Sequence, residues 1–315
     1  MSALPRFATL DIGTNSVLLL VAERHESGSF EAVIERAEIT RLGRGVDATG
    51  HLSEEGIAET LRAVEKFVAE AKSLGALGIA ATATSAARDA SNGQDFLAAA
   101  KARTGVEVEL IAGEVEAQLS YAAVLSSWRA KLNGARLVVI DIGGGSTEII
   151  HGGVGEAAGA VQFRKSFDVG SVRLSERFVR AETVDAQTQE KMVALLRQTF
   201  EAMPKPSGPV CVVGVAGTVT TLYAIEHQIQ PYDAQRVEGG VLALESLAAL
   251  REKLCALPLS ARQRLPGLQP KRADVIPAGA LILETALRCL GASECSVSDR
   301  GLRWGLLAQR FGKKV

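Results

Sequence analysis

"VVIDIGGGSTEII", residues 138–150, is the stretch on which the reading of this chain turns. An apolar run halts at an aspartate, three glycines, a hydroxyl pair and a glutamate. An apolar run that stops in consecutive glycines ends a buried strand at a tight turn, and such a turn can offer backbone N–H groups to an anion. A weaker echo, "ATLDIGTNSVLLLV", occupies residues 8–21. The pattern D-I-G-x-x-S therefore stands twice, and only the second copy carries an acid behind it.

Working outward from each copy gives matching element orders. After the first turn, alternation predicts strands over 7–11, 17–23 and 30–37, with "HESGS" turning between the last two. The pattern then changes to helical spacing, with Ile57, Leu61, Val64, Val68 and Ala71 on one face and Ser53 placed as an N-cap. Strand 77–82, helix 93–103 and strand 106–111 follow. The second copy predicts strands over 135–143, 146–152 and 158–167. Helices at 172–180 and 185–202, strand 209–215 and a helix from 218 come next. Helices at 245–255 and 278–290, a short strand "CSVS" and a last helix from 301 complete the chain. An internal duplication is the economical account.

The expected fold class is α/β: two duplicated domains, each a mixed β-sheet flanked by helices, with the active site in the cleft between the two D-I-G turns. The expected division is residues 1–130 and 131–315, falling near the polar segment "SSWRAKLNG" (126–134), with the last helix returning to the N-terminal domain. The segment 257–277, with four prolines and a run of basic residues, reads either as a loop beside that cleft or as an ordinary connection with solvated charges.

The net charge of -1 over 315 residues leaves no electrostatic footprint for nucleic acid or a membrane surface, though a local basic pocket would vanish in that sum. The four cysteines have no zinc-binding spacing and read as thiols of a reducing compartment. The N-terminus lacks signal-peptide character, and no window has the length of a membrane span. The expectation is a cytoplasmic protein.

Several residues could carry chemistry. Gly143, Gly144 and Gly145 allow close backbone approach, and Ser146 and Thr147 add hydroxyls. Asp141 ends its strand, where open α/β sheets place their sites. Glu148, across a tight hairpin, can come near Asp141 and share a hard cation such as Mg²⁺. In the first copy Thr14, Asn15 and Ser16 can donate hydrogen bonds to an anion, but Asp11 is its one carboxylate, because Leu18 stands where Glu148 does. Gly217 and Thr218, opening a helix after an apolar strand, are either a phosphate site or an ordinary helix start. Arg88 is a fork-shaped donor suited to phosphate. Glu114 and Glu116 lie in the first turn of a helix, where acids complement the macrodipole or do catalytic work; local sequence does not choose.

The ordered series "LDIGTNSVLLLV", "ATATSAARDASN", "IAGEVEAQLSYAAV", "VVIDIGGGSTEII", "VGSVRLSERF", "GVAGTVTTL", "LPGLQPKRADVIPAGALIL" and "VSDRGLRWGLL" resembles the Ppx/GppA phosphatases from about residue 6 to 311. These are exopolyphosphatases and guanosine pentaphosphate phosphohydrolases on the actin/sugar-kinase/Hsp70 fold. The length resembles that of the short two-domain members. The resemblance implies Glu116 as the catalytic glutamate, with Val115 replacing the acid that precedes it in the family motif. It implies Asp141 and Glu148 as metal-associated acids, with Asp11 a further candidate. It places Asn15, Ser16, Arg88, Gly144, Gly145, Ser146, Gly217 and Thr218 in phosphate-contacting loops, and Arg272 near the substrate channel.

The implied activity is metal-dependent release of terminal orthophosphate from inorganic polyphosphate, with Mg²⁺ or Mn²⁺ as cofactor. The alternative is the same chemistry on guanosine pentaphosphate. A kinase of the same superfold and a non-catalytic polyphosphate sensor are the competing classes. Neither nucleic acid nor membrane is an expected partner; the resemblance makes a homodimer a candidate assembly, and no sequence feature marks an interface.

Overall fold

The computed structural model describes residues 4–312, the side chain of Glu156 excepted. The chain divides into two compact units. The first runs to Ala123 and takes in the helix Leu302–Phe311; the second is Val124–Gly301. The helix Gly113–Trp128 begins in the first and ends in the second.

In the first unit β1 (Arg6–Ile12), β2 (Ser16–Arg24), β3 (Phe30–Ile39), β4 (Ala76–Ala83) and β5 (Val108–Leu110) form one sheet in the order β3-β2-β1-β4-β5. The β1–β2 and β2–β3 pairs are antiparallel, and β4 and β5 add in parallel. The helix Glu54–Ser73 packs Leu61, Val64, Val68 and Ala71 into the core beneath β1 and β2, as the spacing predicts. Ser53 caps it by accepting the Gly56 N–H at 3.1 Å, a contact of a kind that typically contributes about 1 kcal/mol. The helix Leu302–Phe311 joins this unit through Leu306, packed with Ile111 and Leu119, and Leu307, packed with Leu20 and Ala22. Arg303 holds it there by donating to the Leu19 carbonyl (2.9 Å) and pairing with Glu35 (2.9 Å).

The second unit repeats the plan with one more strand. Here β6 (Arg136–Ile142), β7 (Thr147–Gly152), β8 (Val161–Phe167), β9 (Val210–Val215), β10 (Val241–Ala243) and β11 (Glu294–Val297) lie in the order β10-β11-β9-β6-β7-β8. β6, β7 and β8 form the antiparallel set; β9 and β11 are parallel additions, and β10 closes the edge antiparallel. Each residue of β6 and β7 is buried, whereas the edge strand β8 is largely exposed. Central strands covered on both faces read as continuous apolar runs, which is why "RLVVIDI" lacks alternation.

The fold class is the expected one: two α/β units, each a mixed sheet with helices on its faces. The edge strand β10 has no counterpart among the predicted elements, because three residues give too short a pattern to detect. The segment 257–277 is more ordered than a plain loop. It contains the helical turns Leu259–Arg262 and Pro270–Arg272, and Arg262 is fully buried with Nη2 donating to the Glu182 carbonyl at 2.6 Å. All four cysteines are free thiols. Among the described residues no helix is long and apolar enough to cross a membrane.

Candidate active site

In the second unit the turn 143–146 joins β6 to β7, closed at its base by the Gly143 N–H donating to the Ser146 carbonyl at 3.0 Å. The helix Ser171–Phe178 gives this turn its polarity. Its Ser171 N–H donates to the Gly143 carbonyl (3.0 Å), and the Val172 and Arg173 N–H groups donate to the Gly144 carbonyl (2.8 and 3.1 Å). The Arg173 Nε donates to the Gly145 carbonyl at 2.8 Å. All three glycine carbonyls are thus taken by the helix, while the N–H groups of Gly144, Gly145 and Ser146 take no acceptor among the described residues. A turn with its carbonyls engaged on one side and its N–H groups unspent is a concave donor set for an anion.

The first unit repeats the device. Gly13 N–H donates to the Ser16 carbonyl at 2.9 Å; Gly43 N–H engages the Thr14 carbonyl at 2.8 Å. Thr40 and Arg41 N–H groups engage the Asn15 carbonyl at 3.1 and 3.0 Å. The N–H groups of Thr14 and Asn15 take no acceptor among the described residues. The buried Asn15 side chain also has its Nδ2 donor without a hydrogen-bond partner, an expensive arrangement in a protein interior. Ser16 opens β2 beside it, opposite Ile39.

The two copies differ across their ladders. Asp141 faces Glu148 directly in the β6–β7 register, while Asp11 faces Leu18 in β1–β2. Directly opposed residues of an antiparallel pair share one face of the sheet. Asp141 is buried and Glu148 is 0% exposed, its Oε1 accepting from the Ser166 hydroxyl at 2.6 Å. Asp11 is half-buried on β1, between Leu18 and Thr82.

β9 runs parallel to β6 with Val215 beside Asp141, so the helix Ala216–Glu226 starts next to the acid pair. Ala216 holds φ at 66°, in the left-handed region, which costs an L-residue roughly 1–2 kcal/mol. Non-glycine residues in this conformation gather at functional sites. The following Gly217 is pressed by the Arg272 guanidinium, whose Nη1, Nη2 and Cζ occupy the space a Cβ would need. Thr218 is buried one residue further on. Burial pushes the Arg272 pKa down, with a partial offset from Tyr232. Gly217, Thr218 and Arg272, separated by more than fifty residues in sequence, are therefore brought together.

In the first unit Arg88 lies on the short helix Ser85–Asp89, and its Nη1 donates to the Ile111 carbonyl at 3.0 Å. Ile111 leads into the helix Gly113–Trp128, where Glu116 occupies the first turn, buried at 8% exposure. Its neighbours Glu114 and Val115 are exposed. Only Glu116 of the two candidate acids turns inward, and Val115 leaves an apolar side chain facing solvent where the family motif has an acid.

Among the described residues no group of three or more His, Cys, Asp or Glu side chains is assembled for a metal. The Asp141–Glu148 pair still suits a hard divalent ion. Mg²⁺ is commonly held by one or two carboxylates, with water and substrate phosphate completing the shell. Residues that the sequence reading assigned no role are Arg173, Ser171 and Gly170, which shape the glycine turn, and Ser166, which bonds Glu148. "VGSVRLSERF" was the only signal for the first three.

The profile of the Ppx/GppA phosphatase family matches residues 20–314. Exopolyphosphatase 2 of Mycobacterium tuberculosis H37Rv is 33% identical over 98% of this chain and 100% of its own length. Exopolyphosphatase 1 of Mycobacterium bovis is 30% identical over 98% of this chain and 89% of its own. Among solved structures, the Aquifex aeolicus Ppx/GppA family member superposes with a TM-score of 0.79 at 32% identity, covering 97% of both chains. A Cytophaga hutchinsonii exopolyphosphatase gives a TM-score of 0.87 at 25% identity over 96% of this chain and 97% of its own. The actin-like fold expected from the sequence is the fold these neighbours share.

Proposed function

The chain belongs to the Ppx/GppA phosphatase family and is a phosphohydrolase, and from that premise we propose that it removes the terminal orthophosphate from inorganic polyphosphate. The observation that carries this reading is the polarised turn at 143–146, whose carbonyls are all engaged and whose N–H groups remain for an anion. The exopolyphosphatase name of the full-length mycobacterial relative supports the choice of substrate.

Phosphoryl transfer asks a protein mainly for positioning and charge neutralisation. In the second unit Gly144, Gly145 and Ser146 donate backbone N–H groups to the terminal phosphate. Gly217, Thr218 and Arg272 engage further phosphate oxygens. The first unit has anion donors of its own in the buried Asn15 Nδ2, the Ser16 hydroxyl and the Arg88 guanidinium. Glu116 accepts a proton from the attacking water as that oxygen bonds to the terminal phosphorus. The anhydride P–O bond then breaks, and the shortened chain leaves with the bridging oxygen.

Asp141 and Glu148 are the residues that would hold Mg²⁺ or the equally hard Mn²⁺, and Asp11, at the matching position of the first unit, is the further candidate. When bound, that ion supplies charge neutralisation on the phosphate oxygens.

Glu116→Gln keeps the shape and removes the base, so turnover of polyphosphate should fall by about 10²–10⁴-fold. Wild-type turnover by this variant would refute the assignment. Parallel assays of wild-type protein on polyphosphate and on guanosine pentaphosphate test the substrate, and a clear preference for the nucleotide would overturn the choice made here.

A further inference from the structure

The segment "VSDRG" (297–301), where β11 ends, has no part in the chemistry assigned so far. The Ser298 N–H donates to the Gly214 carbonyl at 3.0 Å, which prolongs the parallel β11–β9 pairing to the point where β9 gives way to Ala216 and Gly217. Asp299 is thereby set down near the start of the helix Ala216–Glu226, on the flank of β9 that faces away from Asp141.

Glu238 fixes the backbone there. Its Oε2 accepts both the Ser298 hydroxyl and the Asp299 N–H, each at 2.8 Å. The Gly239 N–H adds a bond to the Val297 carbonyl at 2.9 Å. From this fixed position Asp299 Oδ1 accepts the Tyr232 hydroxyl at 2.6 Å, the length of a charge-assisted bond. Tyr232 stands just before Asp233, which caps the turn Ala234–Val237 by accepting the Gln235 N–H at 3.0 Å. Its side chain is 50% exposed, so packing alone does not account for its place.

Arg272 reaches the same strand end from the loop 257–277 and covers Gly217. Burial disfavours its charge, and the group that offsets this is Tyr232. A phenol whose proton is given to a carboxylate keeps its oxygen lone pairs for a cation.

We propose that Asp299 and Tyr232 are positioning residues that, through the phenol, hold the Arg272 guanidinium over Gly217 in the orientation that receives a substrate phosphate. The proposal rests on the polyphosphate reading above and names what prepares its arginine. A long side chain that is ordered before substrate arrives has less freedom to lose on binding. The pair therefore acts on affinity and leaves the chemical step alone.

The test compares Tyr232→Phe, Asp299→Ala and Arg272→Ala in the full-length protein, with the two doubles that add Arg272→Ala to each of the others. Polyphosphate hydrolysis is measured at steady state, and tripolyphosphate binding is measured directly in EDTA. Tyr232→Phe keeps the ring and should raise KM about fivefold, with kcat held within about twofold and tripolyphosphate binding weakened to match KM. Asp299→Ala should give the same result, since the backbone bonds to Glu238 remain. With Arg272 already replaced, neither change should cost anything further. A merely structural role would persist without Arg272, so additive losses would overturn the proposal. Wild-type KM in Tyr232→Phe would overturn it too. Wild-type protein that binds tripolyphosphate but releases no orthophosphate would refute the hydrolase reading, while the same non-additive loss in binding would uphold the positioning pair. Wild-type protein that does not bind tripolyphosphate refutes both.

Discussion

Glu148 stands directly across the β6–β7 ladder from Asp141, and Leu18 holds the corresponding place opposite Asp11 on β1–β2. Duplicated backbones therefore carry unequal chemistry. Both units direct turn N–H groups away from engaged carbonyls, but only the second sets two buried carboxyl side chains on one face of a sheet.

Glu148→Leu copies the first unit's residue into the second. If the pair holds the metal, the Mg²⁺ concentration needed for half-maximal activity should rise by at least the 10–100-fold typical of lost support around a metal site. Glu148 also accepts from the Ser166 hydroxyl, so replacing its carboxylate leaves that donor without its acceptor and should lower the metal-free melting temperature. A Mg²⁺ titration of phosphate release and a melt in EDTA check both halves. An unaltered Mg²⁺ requirement would argue against the pair as ligands.

Gly217→Ala tests the contact between the loop 257–277 and the start of the helix Ala216–Glu226. The added Cβ enters the space of the Arg272 guanidinium, the mobile end of a long side chain. The guanidinium moves and the backbone stays, so the melting temperature should change little. The phosphate grip is what suffers, with kcat/KM falling by about tenfold, near 1.4 kcal/mol. Steady-state kinetics beside a thermal melt separate this from simple destabilisation.

These relationships were unequally legible in the sequence. The strand–turn–strand pattern at 138–150 predicted the hairpin that opposes Asp141 and Glu148, because a tight turn fixes register. The apolar face of the helix Glu54–Ser73 was legible for the same local reason, a repeating period. Arg272 over Gly217 was not legible, since nothing local links residues more than fifty apart. The choice of Glu116 over Glu114 came from the family resemblance alone, because the two share one helical turn and differ locally only in what the tertiary fold covers. Arg173 escaped notice because an arginine among "SVRLSERF" reads as solvated charge until its Nε is seen on Gly145.

Gly170→Ala probes the clamp on the glycine turn. Gly170 is in extended conformation, so torsion is not at issue. Its Cα faces the Gly144 and Gly145 backbone so closely that a Cβ would overlap the Gly144 carbonyl. Backbone cannot swing away as a side chain can, and forcing a methyl into a packed contact costs about 1–3 kcal/mol. Urea denaturation should show that loss, and phosphate release should fall with it because the displaced turn carries the donors. A fully active, fully stable variant would mean that the turn is not held as described.

His151 links the fold to pH. It lies on β7 opposite Val138, buried, with its ring 5.0 Å from that of Phe163. Burial, aided by the nearby Arg136 guanidinium, pushes its pKa down from 6.5 to about 4. The folded protein therefore keeps His151 neutral where the unfolded chain has already bound a proton. A depressed folded pKa means that the stability is fully present above about pH 6.5 and is lost as pH falls toward 4. At about 1.4 kcal/mol per pKa unit, the whole window is worth about 3 kcal/mol. His151→Leu removes the titration, so the gap between its urea-unfolding free energies at pH 7 and pH 4.5 should be smaller than that of wild type. Every other carboxylate and histidine contributes equally to both proteins, which makes the difference of the two gaps specific to His151. Identical gaps would show that the imidazole is already protonated, or equally hydrated, in the folded state.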